Sequence, residues 1–202
     1  MTRCLLVHAH PLQDSLNARL AATVEAAARA EGWTVTRHDL YDGFDPVLGA
    51  EERAGYYATP APTLAAEKRD LAEAEVLILV FPTWWSGFPA ILKGWFDRVW
   101  TPGVAYDHAP DLGAMRPRLA GLQAVLAVTT MGAPAWVDWL VLRRPLRRVL
   151  RWGIVRPCAP QARVRWCALY GAEALPPTQV VRFETRLTSE IKAMTRRLRC
   201  RD

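Results

Sequence analysis

His10, Ser15 and Asn17 stand where an apolar run, residues 4–9, gives way to a helical pattern. Free backbone N–H groups and the positive end of the helix dipole attract phosphate at such a start. Ser15 could equally be a plain N-cap, and a lone histidine at a strand end is often only a hydrogen-bonded structural residue. Pro82-Thr83-Trp84-Trp85-Ser86-Gly87 sets two adjacent indoles between Pro and Gly after another apolar run. Large flat side chains there suit a flat ring system, through stacking and edge contacts added to plain burial. Tryptophan also fills cores, and the chain has nine. Thr129-Thr130-Met131-Gly132 ends a further apolar run with two hydroxyls and a glycine.

The elements that must position these groups follow from the apolar pattern. Residues 4–9, 76–81, 122–128 and 164–169 are almost continuously apolar, as strands buried on both faces are. Residues 33–38, rich in Val and Thr but alternating with polar residues, suit a strand nearer a sheet edge. Helical periodicity occupies 15–30, 63–72, 89–101 and 177–198, with Gly32 stopping the first helix and Pro89 opening the third. Strands alternating with helices predict an α/β fold. We expect one flavodoxin-like domain over residues 1–202, a doubly wound five-stranded parallel sheet with helices on both faces. In such sheets ligands sit beyond the carboxyl ends of the strands, where strand order reverses, so the three loops above converge. The long connections 40–62 and 101–120 are of the kind that is usually functional or flexible.

Composition narrows the function classes. The formal charge of +6 favours anionic partners, and the excess gathers at Arg143, Arg144, Arg147, Arg148, Arg151 and Arg156 and in the tail 196–201. A solvated helix face is the ordinary explanation, a dinucleotide phosphate contact the alternative. The basic residues match no nucleic-acid motif, so no nucleic-acid partner is expected. Cys4, Cys158, Cys167 and Cys200 form no CxxC pair and no zinc spacing. No metal is expected, and reduced thiols in a cytoplasmic protein fit best. The start MTRCLLVHAHP has no signal-peptide h-region, and no apolar run reaches the roughly 18 residues a membrane span requires; peripheral membrane contact stays open. The first strand leads into HAHPLQDSLN with no glycine before Gly32, which argues against a dinucleotide-binding Rossmann fingerprint.

The stretch FPTWWSGFPAILKGWFDRVW, residues 81–100, resembles the NAD(P)H:quinone oxidoreductase family, in which an aromatic loop meets the flavin ring. LLVHAHPLQDSLNARL at 5–20 resembles that family's phosphate-binding start, and DLYDGFDPVL at 39–48 its connection after the second strand. The resemblance implies a flavin, FAD rather than FMN, with NAD(P)H as donor. It implies a ping-pong transfer of hydride to a quinone or similar acceptor, with the cofactor supplying the chemistry. His10, Ser15, Leu16 and Asn17 would hold the cofactor's phosphate portion. Pro82, Thr83, Trp84, Trp85 and Ser86 would contact the isoalloxazine, and Thr129, Thr130 and Gly132 would line its other side. Residues 103–108 resemble the substrate loop contributed by the partner of a homodimer, which makes Tyr106 and His108 the substrate-side candidates, His108 as a possible proton source.

The departures are specific. Thr83-Trp84-Trp85-Ser86 replaces the family's Leu-Gln-Trp-Phe, reshaping the pocket wall, and Met131 replaces a glycine, which puts a large side chain at 131 and leaves the substrate size preference open. The Tyr and His that follow the glycine pair in well-known members are absent from 135–140, so the catalytic residues stay unassigned. Two rivals remain: a regulatory flavoprotein subunit of a potassium efflux system, and a flavodoxin-type electron carrier. The second lacks the Ser/Thr-Gly-rich loop and the usual acidity.

Overall fold

The structure is a computed structural model that describes residues 1–57, 63–109 and 114–200. Residues 58–62 and 110–113, parts of the two long connections, and Arg201 in the basic tail lie outside the described residues. In chain order the elements are β1 (Arg3–His8), α1 (Leu16–Ala30), β2 (Thr34–Asp39), α2 (Ala50–Ala54), α3 (Ala65–Glu73), β3 (Val76–Pro82) and α4 (Ala90–Val99). There follow β4 (Tyr106–Asp107), β5 (Arg116–Pro117), β6 (Ala124–Met131), α5 (Pro145–Arg148), α6 (Arg156–Cys158), β7 (Arg163–Tyr170) and α7 (Pro177–Arg199). Two π-helical turns, Val137–Val141 and Val149–Val155, flank α5.

Five strands pair in parallel in the order β2-β1-β3-β6-β7. Strand order reverses between β1 and β3, the switch point of the flavodoxin-like arrangement. The polar-alternating segment is the edge strand β2, as its composition predicts. The other strands alternate faces with period two. Leu5, Val7, Leu77, Leu79, Phe81 and Val125 join one core with Leu92, Trp95 and Val99 of α4. Cys4, Leu6, Ile78, Val80 and Leu126 join the other with Leu20 and Val24 of α1 and Leu187 and Ile191 of α7. Each large side chain so buried contributes about 1.5–3 kcal/mol, which is why near-continuous apolar strands demand helices on both faces.

Helix α1 begins on Ser15, whose Oγ accepts the Ala18 N–H at 3.1 Å. It ends in a Schellman arrangement: Gly32, at φ +82°, donates to Arg29 O, and Trp33 to Ala28 O. Gly94 in α4 is required by contact instead, since a Cβ there would stand 2.5 Å from Pro46 Cβ. That contact, with the Arg98–Glu52 and Arg98–Asp45 ion pairs at 2.8 and 3.3 Å, pins the connection after β2 onto α4.

Some boundaries differ from the sequence-based expectation. Thr129, Thr130 and Met131 are not loop but the end of β6, because Phe81↔Thr129 and Pro82↔Thr130 continue the register with β3. Pro82 is likewise the last residue of β3. Helix α3 starts at Ala65 rather than residue 63. Helix α2, the β4–β5 hairpin and the interrupted helical segment between β6 and β7 are additions.

Candidate functional site

The carboxyl ends of β1, β3 and β6 meet at the switch point, where sheets of this kind hold their ligands in a cleft, and side-chain bonds tie its walls together. Asn17, 3 % exposed in the first turn of α1, donates from Nδ2 to Thr130 Oγ1 at 2.9 Å. Thr83 Oγ1 lies 2.8 Å from Thr129 Oγ1, and the Thr83 N–H donates to Thr130 O at 2.7 Å. Three segments far apart in sequence are thus held in one frame. Asn17 Oδ1 has no hydrogen-bond partner among the described residues although it is buried. A buried unpaired amide oxygen is costly, so this atom suits a ligand donor.

Amides supply the remaining polar groups. The Leu16 and Asn17 N–H groups precede the first intrahelical bonds of α1, and no acidic residue occupies that turn. Trp84 and Gly87 exchange N–H···O bonds of 3.2 and 2.8 Å around Trp85 and Ser86, at φ +50° and +56°. Two left-handed central residues define a type I′ turn, ordinarily built from Asn-Gly. Holding Trp and Ser there costs about 1–2 kcal/mol each, a cost typical of functional loops. Trp85 is 102 % exposed at the tip and Trp84 is partly exposed, its ring 6.1 Å from that of His10.

The Leu12 N–H donates to His10 Nδ1 at 3.1 Å. His10 Nδ1 also lies 3.3 Å from Leu12 O, which would need the opposite tautomer. The amide proton is fixed and its contact shorter, so Nδ1 is the acceptor and Nε2 carries the free N–H. Beneath it, fully buried His8 places Nδ1 2.9 Å from Asp39 Oδ2, which also accepts from Gln13. Burial pushes the His8 imidazole below its ordinary range, outweighing Asp39. Burial would raise the Asp39 carboxyl, but the bonds from His8 and Gln13 hold it low.

On the β6 side, Met131 is 6 % exposed and pairs with Tyr170, so its side chain is packed. A Cβ on Gly132 would meet Glu173 Oε1 at 3.0 Å. Tyr170 donates to buried Asp138 at 2.8 Å and accepts from Trp139 Nε1 at 3.0 Å. Burial and the Asp138 bond push its hydroxyl up to about 12. The Arg144 guanidinium lies 4.1 Å from the Trp139 ring centroid. Residues Trp139, Arg144, Arg147, Trp166, Tyr170 and Arg186 line a cavity of about 260 Å³.

Not every candidate reaches the cleft. Thr129 is fully buried and touches Thr83, so its hydroxyl positions that residue. Leu16 is half-buried against the α1 core and offers its amide. Tyr106 and His108, rings 5.4 Å apart and perpendicular, follow α4. That helix leads about 15 Å away from the cleft, so one chain does not bring them to it. Asp39, Gln13, Glu173, Tyr170 and Asp138 were not singled out in the sequence; Asp39 and Gln13 had a signal, lying in the DLYDGFDPVL and LLVHAHPLQDSLNARL blocks. Cys4, Cys158 and Cys167 are buried, and burial pushes the Cys158 and Cys167 thiols up to about 11. Among the described residues no His/Cys/Asp/Glu cluster could hold a metal, and no helix is long and apolar enough to cross a membrane.

This arrangement, backbone amides and tied hydroxyls around the switch point of a sheet ordered β2-β1-β3-β6-β7, defines a flavodoxin-like protein. The family model of the flavodoxin-like fold matches residues 2–152, and the chain belongs to that family. Within it the chain is similar to proteins named as NAD(P)H:quinone oxidoreductases and NAD(P)H oxidoreductases. It is 33 % identical over 154 residues to NAD(P)H dehydrogenase [quinone] 1 of Cavia porcellus, covering 66 % of this chain and 54 % of that protein. It is 40 % identical over 124 residues to the Escherichia coli protein named uncharacterized NAD(P)H oxidoreductase YcaK, covering 59 % and 63 %. The chain therefore spans about half to two thirds of the length of these relatives. Among solved structures, Smu.1420 of Streptococcus mutans superposes with a TM-score of 0.81 at 28 % identity, over 94 % of this chain and 98 % of that one.

Proposed function

We propose that the chain is a flavin-dependent NAD(P)H oxidoreductase that passes hydride to a quinone or similar acceptor. The observation that carries this reading is the frame Asn17–Thr130–Thr83–Thr129, which aligns three loops into a cleft rich in N–H donors and flanked by two exposed indoles. The donor set fits the group: the α1 amides suit a phosphate, Asn17 Oδ1 suits a hydroxyl, and a flat ring suits the Trp84–Trp85 turn. A flavin held by these residues would supply the hydride chemistry between NAD(P)H and the acceptor.

The chain's own residues do the rest. Leu16 and Asn17 amides, with Ser15 capping the helix, hold the phosphate portion. His10 Nε2–H and the Trp85 and Ser86 amides offer donors toward negative charge, in a wall already fixed before ligands arrive. Thr129 and Thr130 keep that wall in register, and Gly132 leaves space for Glu173. Arg144 and Arg147, in the cavity beside β7, meet the phosphates of the nicotinamide nucleotide. Tyr106 and His108 complete the acceptor side across a homodimer. The cofactor is FAD, and the protein is one cytoplasmic domain of this chain.

The test is steady-state oxidation of NADH or NADPH by the purified, flavin-loaded protein with a soluble quinone. Turnover that follows initial-rate patterns of a two-stroke exchange supports the reading. Bound flavin without turnover supports a regulatory flavoprotein instead.

A further inference from the structure

The segment between β6 and β7 carries a surface that the cleft does not use. Its inner stripe, Leu146, Leu150 and Val155, is buried and anchors it to the core. Its outer side nevertheless exposes Trp136 (59 %), Leu140 (74 %), Val141 (62 %), Val149 and Trp152. Arg143, Arg148, Arg151 and Arg156 are exposed among them. No Asp or Glu occurs between Trp139 and Ala172, and the preceding Asp138 is buried against Tyr170. None of these four arginines is in an ion pair among the described residues. Arg151 and Arg156 instead stack on Trp152, at 4.8 and 5.2 Å.

Large apolar side chains exposed along one short segment among unpaired arginines mark an interaction site. We propose that this patch docks on the surface of an anionic lipid bilayer. Tryptophans at headgroup level, aliphatic side chains just beneath and arginines on lipid phosphates are the parts of an interfacial anchor. A second copy would set the same arginines against each other. Nucleic acid would satisfy the charge but leave Leu140, Val141 and Val149 with nothing to bury. The left-handed pair Arg143 and Arg144, at φ +57° and +54°, breaks the segment so that Trp136, Leu140 and Val141 form a separate outer turn. That turn begins four residues after Gly132, which is expected to line the flavin. Access to an acceptor dissolved in the bilayer is the consequence that rests on the quinone reading; docking itself does not.

Co-sedimentation of the flavin-loaded full chain with vesicles tests it, comparing phosphatidylcholine alone with an equal mixture of phosphatidylcholine and phosphatidylglycerol. Binding to the mixed vesicles, lost in high salt and weak on the neutral ones, is expected. Replacing Arg143, Arg148, Arg151 and Arg156 with Gln should lower partitioning roughly fivefold per arginine at low salt. Leu140→Ser with Val141→Ser should lower binding while keeping the salt dependence, with circular dichroism verifying the fold of both variants. Absence of binding to the mixed vesicles overturns the proposal. So does binding indifferent to the arginine changes, tighter arginine-dependent binding to duplex DNA, or a dimer that Leu140→Ser with Val141→Ser dissociates.

Discussion

Replacing Thr130 with Val keeps its shape and removes the acceptor of the Asn17–Thr130 bond. The Thr130 carbonyl still receives the Thr83 amide, so the backbone of β6 stays in register. Asn17 Nδ2 loses its 2.9 Å bond where Asn17 is 3 % and Thr130 6 % exposed, so the donor is left buried. A buried donor left unpaired costs about 1–3 kcal/mol. At roughly 2–4 °C per kcal/mol for a chain of this size, the flavin-free protein should melt several degrees lower. Asn17→Ala removes both ends of the problem, including the unpaired Oδ1. The double variant should therefore lose about 0.5–3 kcal/mol less than the sum of the singles. Urea unfolding followed by tryptophan fluorescence, with and without flavin, gives all four corners of the cycle. If Oδ1 meets the cofactor, Asn17→Ala also weakens flavin binding more than Thr130→Val does. A Thr130→Val variant as stable as the parent, or a strictly additive cycle, would refute the idea that this bond sets the cleft.

Other outcomes follow from individual contacts. Gly94→Ala should destabilise by about 1–3 kcal/mol in thermal unfolding through its clash with Pro46, although Ala is the better helix former by about 1 kcal/mol; stabilisation would contradict the contact. Burial holds His8 below its ordinary 6.5 in the folded state, so the unfolded chain takes up the proton first as pH falls. Stability should then be full above about pH 6.5 and decline below it, with Asp39 adding further loss in stronger acid, and His8→Asn should flatten the upper part of that slope. Ser86→Gly should raise the melting temperature by relieving the left-handed residue at φ +56°, the gain of about 1–2 kcal/mol being offset by roughly 0.5–1 kcal/mol of glycine backbone entropy, with flavin affinity little changed.

Legibility in the sequence followed the range of the interactions. Strands β1, β3 and β6 show themselves as apolar runs because both faces are covered, and β2 shows its edge place through alternation. The end of β6 hides because Thr129 and Thr130 look like loop residues until β3 pairs with them. The Asn17–Thr130 bond joins positions 113 apart, beyond any local pattern, so the strut formed by the Asn17 side chain could not be read beside its expected place at the phosphate. The Trp85–Ser86 turn lacks the Asn-Gly that usually announces two left-handed residues. The segment after β6 hid for another reason: π-helical turns and the left-handed Arg143–Arg144 pair break the 3.6-residue repeat on which helix recognition depends. The Arg-rich stretch accordingly looked like one solvated face, whereas its apolar side chains divide between core and surface.

The central claim is that the cleft at the β1–β3 switch point binds a flavin, and titration tests it most directly. The flavin-free protein, with Trp84 and Trp85 as internal reporters, is titrated separately with FAD and FMN while flavin and tryptophan fluorescence are followed. Saturable quenching of both signals at one flavin per chain, tighter for FAD and weakened by Asn17→Ala, is the predicted result. No binding of either flavin by a folded protein would contradict the account.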